Sequence, residues 1–195
     1  QPILVAVDQR TPMKFGSVRC FKSVMAAHTG AMALWSALHS GERIGGVVLG
    51  DTKLSDTRPK RSQHAVLSVI GDLVAAGAPT ASAVAPEHSM ADLLQQLERI
   101  ARPGTRIFLI SDFHDLFDDE TIAPLRRLAR KTQLVALWVS DPLEAELPSA
   151  RFYAVTDGRT HSQLDTHTAD TRAAYARDYQ SQREQATRKL RELRV

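Results

Sequence analysis

The sequence predicts an α/β fold in which a doubly wound, mostly parallel sheet carries helices on both faces. Short apolar runs alternate along the chain with segments whose apolar residues recur every three or four positions. The first run, residues 2–7, is apolar throughout, as in a strand that is buried on both faces. This run ends at Asp8, and a later run ends at Asp112. Because α/β sheets bind ligands at the carboxyl ends of their parallel strands, we expect a site near these two carboxylates.

Composition limits the classes of protein that the chain can represent. Its 195 residues are 43% hydrophobic and 24% charged, which is typical of a single globular domain, here residues 1–195. The net charge of +3 excludes a uniformly basic surface but leaves room for a local basic patch. The single cysteine, Cys20, has no partner for an internal disulfide. No apolar stretch approaches the roughly 20 residues of a membrane-spanning helix, so we expect a cytoplasmic domain.

The first half of the chain predicts two helices and two strands after the opening run. Residues 17–40 carry one apolar stripe at helical spacing, with Ser17 as the expected N-cap. A buried strand is expected at 43–51, a polar loop at 52–61 and a second helix at 62–77. Small side chains at 80–85 predict only a short edge strand.

The second half continues the alternation of helices and strands. Its expected segments are a helix from 89 to about 101, a strand at 106–112, a helix at 119–131, a strand at 133–139, a final strand at 151–155 and a terminal helix at 169–193.

Three of the strand-end segments resemble the loops of a von Willebrand factor A domain. They are Asp8 after the first strand, residues 87–90 at a helix start, and Ser111-Asp112 after a central strand. Further motifs narrow the resemblance to the DUF58 family: Val7-Asp8-Gln9-Arg10, Phe15-Gly16-Ser17, Phe21-Lys22-Ser23, Ile44-Gly45-Gly46-Val47, Ile110-Ser111-Asp112-Phe113, Thr156-Asp157-Gly158 and Leu164-Asp165-Thr166. The resemblance implies that the chain is the C-terminal part of a longer protein. It also implies a domain that recognises protein partners, and an association with MoxR-type AAA+ ATPases.

The resemblance further implies a metal-ion-dependent adhesion site, but the first loop departs from the pattern of that site. The pattern is Asp-x-Ser-x-Ser, whereas this chain has Arg10 and Pro12 at the two hydroxyl positions. In the second loop His88 or Ser89 stands where a ligand threonine is expected. The remaining candidate metal ligands are Asp8, Ser89 and Asp112, helped by Ser111. We therefore expect a degenerate site with no required cofactor, and Mg²⁺ is the ion that its oxygen atoms would suit.

Arg10 offers an alternative in which the strand-end carboxylates have a structural role. A guanidinium beside Asp8 and Asp112 would neutralise both carboxylates and fix the loop by bidentate hydrogen bonds. Under this hypothesis, a charge of the protein replaces the metal ion.

Four loops are expected to meet at this edge of the sheet, at 9–15, 51–61, 86–89 and 113–118. Apolar anchors for a partner are expected within them, because aromatic and methionine side chains contribute much of the binding energy at interfaces. Packing of these anchors into the core is the alternative. The expected binding residues, together with Phe117 as a further anchor, are Asp8, Arg10, Thr11, Met13, Phe15, His88, Ser89, Ser111, Asp112 and Phe113.

The favoured function is a non-catalytic adaptor domain, and the alternative is a magnesium-dependent phosphohydrolase of the haloacid-dehalogenase type. The motif of that enzyme class is Asp-x-Asp-x-Thr, and Asp8 would be its nucleophile. Arg10 replaces the second Asp, which is the general acid in that chemistry, and an arginine does not release its proton.

The terminal helix also has two interpretations. Its narrow apolar stripe predicts that Tyr175, Tyr179 and Leu190 complete the core. Its many arginines suggest instead a basic surface for nucleic acid, lipid or an acidic partner, although acidic residues three or four positions away favour the first interpretation.

Overall fold

The structure is a computed structural model that describes residues 1–78, 86–149, 152–156 and 161–195, with the backbone alone for 152–156 and 161–164. Its main sheet has five strands in the spatial order β3-β2-β1-β4-β5. Their bounds are β1 Pro2–Asp8, β2 Arg43–Leu49, β3 Leu54–Lys60, β4 Arg106–Ser111 and β5 Gln133–Trp138. All pairings are parallel except that of β3 with β2. The predicted mostly parallel sheet is confirmed, with β1 at its centre.

Six helices and one separate hairpin complete the described part of the chain. The helices are α1 Lys22–His39, α2 Gln63–Gly77, α3 Met90–Ile100, α4 Asp119–Lys131, α5 Pro142–Ala145 and α6 Ala169–Glu192, and a 3-10 turn spans Thr11–Met13. Strands β6 Phe152–Thr156 and β7 His161–Asp165 pair antiparallel with each other. Within the described residues, no helix is long and apolar enough to cross a membrane.

Strand β1 explains why the opening run is apolar at every position. Leu4 and Ala6 belong to the core on one face of the sheet, and Val5 and Val7 to the core on the other. Because successive side chains of a strand point to opposite faces, burial on both faces requires an unbroken apolar run. Helices α1 and α2 pack on the second face, whereas α3, α4 and the end of α6 contribute to the first.

The strand expected to be the final one, at 151–155, corresponds to β6, but β7 follows it and the two strands lie outside the main sheet. In the first half of the chain, one strand and one helix start differ from the sequence-based expectations. Residues expected to form a polar loop contain the antiparallel edge strand β3, in which Pro59 is tolerated because an edge strand has one unpaired side. Helix α1 begins at Lys22 rather than near Ser17. The Ser17 side chain contacts Asp141 instead of capping the helix. The edge strand expected at 80–85 lies outside the described residues.

Candidate functional site

Asp8 ends β1 in a fully buried position where both carboxylate oxygens are engaged. Its Oδ1 accepts hydrogen bonds from the backbone N–H of Arg10 at 3.1 Å and from Arg10 Nε at 3.0 Å. Its Oδ2 accepts from Arg10 Nη2 at 2.8 Å and from Ser111 Oγ at 2.9 Å. A carboxylate offers about four acceptor positions, so the protein itself fills the capacity of Asp8.

Arg10 joins two loops through a double fork of hydrogen bonds. Besides Asp8, it contacts Asp115 through Nη1 at 2.6 Å and Nη2 at 3.0 Å. Burial alone would lower the pKa of Arg10, but hydrogen bonds and attraction from the two carboxylates raise that pKa above its usual range. Burial alone would raise the pKa of Asp115, but hydrogen bonding and attraction from Arg10 outweigh burial and hold the Asp115 pKa below its usual value. The expected pairing of Arg10 is confirmed for Asp8. It is wrong for Asp112, because Asp115 takes that place.

Asp112 forms a second ionic group with different cations. Lys22 Nζ lies 2.7 Å from its Oδ2, and His114 Nδ1 lies 2.9 Å from its Oδ1. Lys22 also contacts Glu144. Burial disfavours the charged form of Asp112, but His114 and Lys22 outweigh that effect and hold its pKa well below the usual range. Burial likewise opposes protonation of His114, yet Asp112 and Asp115 raise the His114 pKa above its usual value.

A third carboxylate, Asp51, follows β2 and fixes the first loop. It accepts hydrogen bonds from the Thr11 backbone N–H at 2.6 Å and from Thr11 Oγ1 at 3.0 Å. Lys14 Nζ lies 3.0 Å from the same carboxylate. The predicted binding residue Thr11 is therefore held in place by a neighbouring strand end.

The second loop uses its polar side chains to begin a helix. Ser89 Oγ accepts a hydrogen bond from the Asp92 backbone N–H at 3.3 Å, and the Asp92 carboxylate accepts from the Ser89 backbone N–H at 2.9 Å. This reciprocal pair is a capping box at the start of α3. His88, a predicted binding residue, has its Nδ1 3.9 Å from Asp92. The loop lies beside the end of β2 because the Glu87 N–H donates to the Asp51 carbonyl.

The predicted apolar anchors divide between core and surface. Met13 is fully buried, and Phe113 is 3% exposed with its ring edge-on to Trp138 at 5.4 Å between centroids. The alternative interpretation, in which the anchors pack into the core, is therefore correct for Met13 and Phe113. Phe117 is half-buried, and Phe15 is 39% exposed. Phe113 also has φ 57°, a left-handed backbone conformation that is strained for a bulky residue.

Several charged residues of this edge did not emerge from the sequence as site residues, namely Lys22, Asp51, Asp115 and Glu144. Lys22 carried a usable signal, because it is the only Lys, Arg, Asp or Glu in the 18 residues of α1. A lone charge in an otherwise uncharged helix indicates a specific partner when the residue is buried, as Lys22 is. Across the described residues, no group of three or more His, Cys, Asp or Glu side chains is placed to hold a metal ion.

The sequence matches one protein family over most of its length. Residues 1–185 match the model of a family described as "Protein of unknown function DUF58". Two curated relatives are the uncharacterized proteins Rv1480 of Mycobacterium tuberculosis and Mb1516 of Mycobacterium bovis. Each is 25% identical over 162 residues, which cover 80% of this chain and 48% of the relative. The chain thus spans about half the length of these curated relatives.

Two solved structures resemble the fold. One is an aerotolerance-related membrane protein from Bacteroides fragilis, with a TM-score of 0.55 and 15% identity over 90% of this chain and 88% of that chain. The other is the conserved hypothetical protein BatB from Bacteroides thetaiotaomicron, with a TM-score of 0.55 and 14% identity over 98% of both chains. At these identities the likeness shows the fold alone.

Proposed function

The chain belongs to the DUF58 family, and we propose that it is a non-catalytic adaptor domain whose strand-end loops present a rigid surface to a protein partner. One observation carries this proposal: the carboxylate of Asp8, at the position where α/β sheets keep their chemistry, is enclosed by Arg10 and Ser111. An enclosed and neutralised carboxylate supports the loops, but it presents no free atom to a substrate.

The same geometry supports a degenerate metal site at which a protein cation replaces the metal ion. Of the three candidate ligands, Asp8 binds Arg10, Asp112 binds Lys22 and His114, and Ser89 caps α3. A divalent cation would have to displace charge-assisted hydrogen bonds at both carboxylates before it reached their oxygens. These residues do not fit a resident Mg²⁺ ion.

The phosphohydrolase alternative gains no support from this arrangement. Its nucleophile, Asp8, is buried, and its neighbour Arg10 pairs with two carboxylates instead of providing a proton. We expect no magnesium-dependent hydrolysis of a chromogenic phosphomonoester. Turnover that Asp8→Asn abolishes would contradict this expectation.

The proposed partner surface is the loop patch, which we define as Phe15, Val18, Phe21, Val24 and Met25. All five side chains are exposed, with Val18 72% and Phe21 52% accessible. Residues 16–21 and Val24 line a shallow groove of about 360 Å³ at this patch. Exposed apolar side chains that share one groove, as Val18, Phe21 and Val24 do, are typical of a protein interaction site.

The structure holds the segment beneath the loop patch at both ends. The Lys22 N–H donates to the Phe15 carbonyl at 2.7 Å and closes the segment. The Ser17 N–H donates to Asp141 at 2.8 Å and ties it to the start of α5. Lys22 then links it to Asp112 through an ion pair. A surface that is fixed before binding loses less conformational entropy when its partner docks.

We propose that the partner is a MoxR-type AAA+ ATPase. This proposal rests on the family resemblance. In this account the ion pairs at the strand ends position the loop patch, and the loop patch contacts the ATPase. Met13 and Phe113 support the loops from the core, whereas Phe15 contacts the partner directly.

The test measures binding of the full-length family protein to the MoxR-type ATPase of the same organism by isothermal titration calorimetry. Phe15→Ser with Phe21→Ser removes two exposed aromatic contacts, and we expect the affinity to fall about tenfold or more. Leu67→Ser with Val74→Ser is the matched control, because both side chains are exposed apolar residues of α2 outside the loop patch. Failure to form a complex, or an equal loss in both variants, would contradict the proposal.

A further inference from the structure

A groove lined by basic side chains lies at the opposite edge of the sheet, where the parallel strands begin. Its volume is about 410 Å³. We call it the basic groove and define it by its five cationic residues, which are Arg43, Arg58, Lys60, Arg99 and Arg102. The remaining lining residues are Pro2, Pro59, Ile100, Ala101 and Thr105, so the described lining contains neither a carboxylate nor an aromatic ring.

An irregularity in the edge strand forms one wall of the basic groove. Thr57 pairs with Gly46 and Lys60 pairs with Ile44, so Arg58 and Pro59 together stand opposite Gly45. A side chain at Gly45 would collide with the Thr57 carbonyl and the backbone of residues 58–59. Bulges of this kind bend an edge strand and redirect its side chains. Here the two bulge residues, Arg58 and Pro59, and the next residue, Lys60, all line the groove.

The five cations of the basic groove have no carboxylate partner among the described residues. Arg99 Nη1 donates to Gln96 Oε1 at 3.3 Å, which is a neutral contact. The acidic residue next to Arg99 is engaged elsewhere, because Glu98 binds Arg127. With a net charge of only +3 for the whole chain, five unpaired cations around one concavity form a strong local excess of positive charge.

We propose that the basic groove binds a phosphate-bearing ligand with several negative charges. Arginine is suited to this chemistry because its planar fork donates two parallel hydrogen bonds to phosphate oxygens. The groove has room for more than one phosphate group. Single-stranded nucleic acid is disfavoured, because such sites stack bases on aromatic side chains and the described lining has none. This site is separate from the loop patch and does not depend on the adaptor proposal.

The first arm of the test measures the binding of inorganic tripolyphosphate by calorimetry. The titration is done at two salt concentrations, about 0.01 M and about 0.15 M, which differ strongly in how far they screen charges. Arg58→Gln with Arg102→Gln should weaken binding about 100-fold, at about tenfold for each charge-assisted hydrogen bond lost. The control, Arg126→Gln with Arg177→Gln, removes the same charge from exposed arginines that have no side-chain partner in the described part of the chain. We expect it to change the affinity less than about twofold. Thermal unfolding of each variant verifies that it folds.

The second arm separates a free ligand from a lipid headgroup by flotation with phosphatidylglycerol vesicles, and phosphatidylcholine vesicles serve as the neutral control. Tripolyphosphate binding that requires Arg58 and Arg102 supports a free phosphate ligand. Vesicle binding with the same requirement, in the absence of tripolyphosphate binding, supports a lipid phosphate. Absence of binding in both arms, or equal losses in the groove and control variants, would overturn the proposal. Arg58 and Lys60, the two cations on β3, would then serve only to protect the edge strand from pairing with other chains.

Discussion

Arg10 is the residue on which the interpretation of the strand-end edge depends. Its guanidinium binds the Asp8 carboxylate and also Asp115, which lies 105 positions from Arg10 in the sequence. A cation in the first loop is predictable from the sequence, because an arginine occupies a position where the family pattern has a hydroxyl residue. Its second partner is not predictable, because Asp112 and Asp115 are three residues apart in one loop. Which of them faces Arg10 is decided by the fold of the strained segment around Phe113.

Removal of Arg10 should destabilise the protein. Arg10→Ala leaves the buried Asp8 without its ionic partner, and losses of this kind cost about 3–5 kcal/mol in the free energy of unfolding. Urea unfolding of the variant and of the wild type at neutral pH measures the difference.

The control for Arg10→Ala is Arg19→Ala. Arg19 is exposed and has no side-chain partner among the described residues, so its removal should change stability by less than about 0.5 kcal/mol. An Arg10→Ala protein as stable as the wild type at neutral pH would show that the ion pairs do not support the fold.

His114 should titrate above the usual histidine range. Burial opposes its protonation, but Asp112 and Asp115 outweigh both burial and the repulsion from Arg10, and they raise the pKa. The stability gained from charged His114 is therefore complete below about pH 6.5 and is lost as the pH rises through the raised pKa. Because the side chain is 45% exposed, we expect the gain to be small.

NMR titration of His114 measures this pKa directly. Asp112→Asn removes the hydrogen-bonded carboxylate and should lower the His114 pKa, whereas Asp118→Asn, an exposed aspartate of the same loop, should leave it nearly unchanged. Equal pKa values in the wild type and Asp112→Asn would refute the assignment of this pair.

At the scale of elements, helix α6 joins the core through its second half. Ala186 and Leu190 are buried, whereas Tyr175 and Tyr179 are half-buried and lie outside the two core clusters. The expectation that this helix completes the core is confirmed for Leu190 and wrong for the two tyrosines. The helix also places Arg183 over the Trp138 ring at 5.4 Å and Lys189 over the Phe117 ring at 5.1 Å. Part of its basic character is thus used in packing against aromatic rings.

Shortening Leu190 tests the docking of α6. Leu190→Ala removes a buried side chain and should lower the free energy of unfolding by about 2–4 kcal/mol. The same substitution at Leu67, which is 56% exposed, should cost less than about 0.5 kcal/mol. Truncation after Thr168 should destabilise the domain more than Leu190→Ala does. A truncated protein that keeps its melting temperature and loses only polyanion binding would favour the basic-surface interpretation of α6.

Most elements were predictable, and the exceptions have physical reasons. Strand β1 and helices α3 and α4 agree closely with expectation, because full burial or a one-sided apolar stripe leaves a clear pattern. Strand β3 was missed because it is an edge strand with polar residues and a proline, which sequence patterns do not distinguish from a loop. The start of α1 was misplaced because Ser17 can cap a helix but is held by Asp141.

At the scale of the whole molecule, charge is divided between the two edges of the sheet. Carboxylates gather where the parallel strands end, and each binds a cation of the chain: Asp8 with Arg10, Asp51 with Lys14, and Asp112 with Lys22. The unpaired cations of the basic groove lie at the other edge. The net charge of +3 does not indicate this division, because it adds the charges of both edges together. The acidic edge is predictable from the sequence, because its carboxylates follow the apolar runs of the strands. The basic groove is not predictable in this way, because its residues come together only through the pairing of β2 with β3.

We propose that cations of the protein take the place of a metal ion at the strand ends. Calorimetric titration of the wild-type chain and of Asp112→Ala with Mg²⁺ and Mn²⁺ decides whether they do. Because the oxygens of Asp8 and Asp112 are already bound by Arg10, Ser111, Lys22 and His114, we expect no affinity tighter than about millimolar in either protein. Micromolar binding by the wild type that is lost in Asp112→Ala would contradict it.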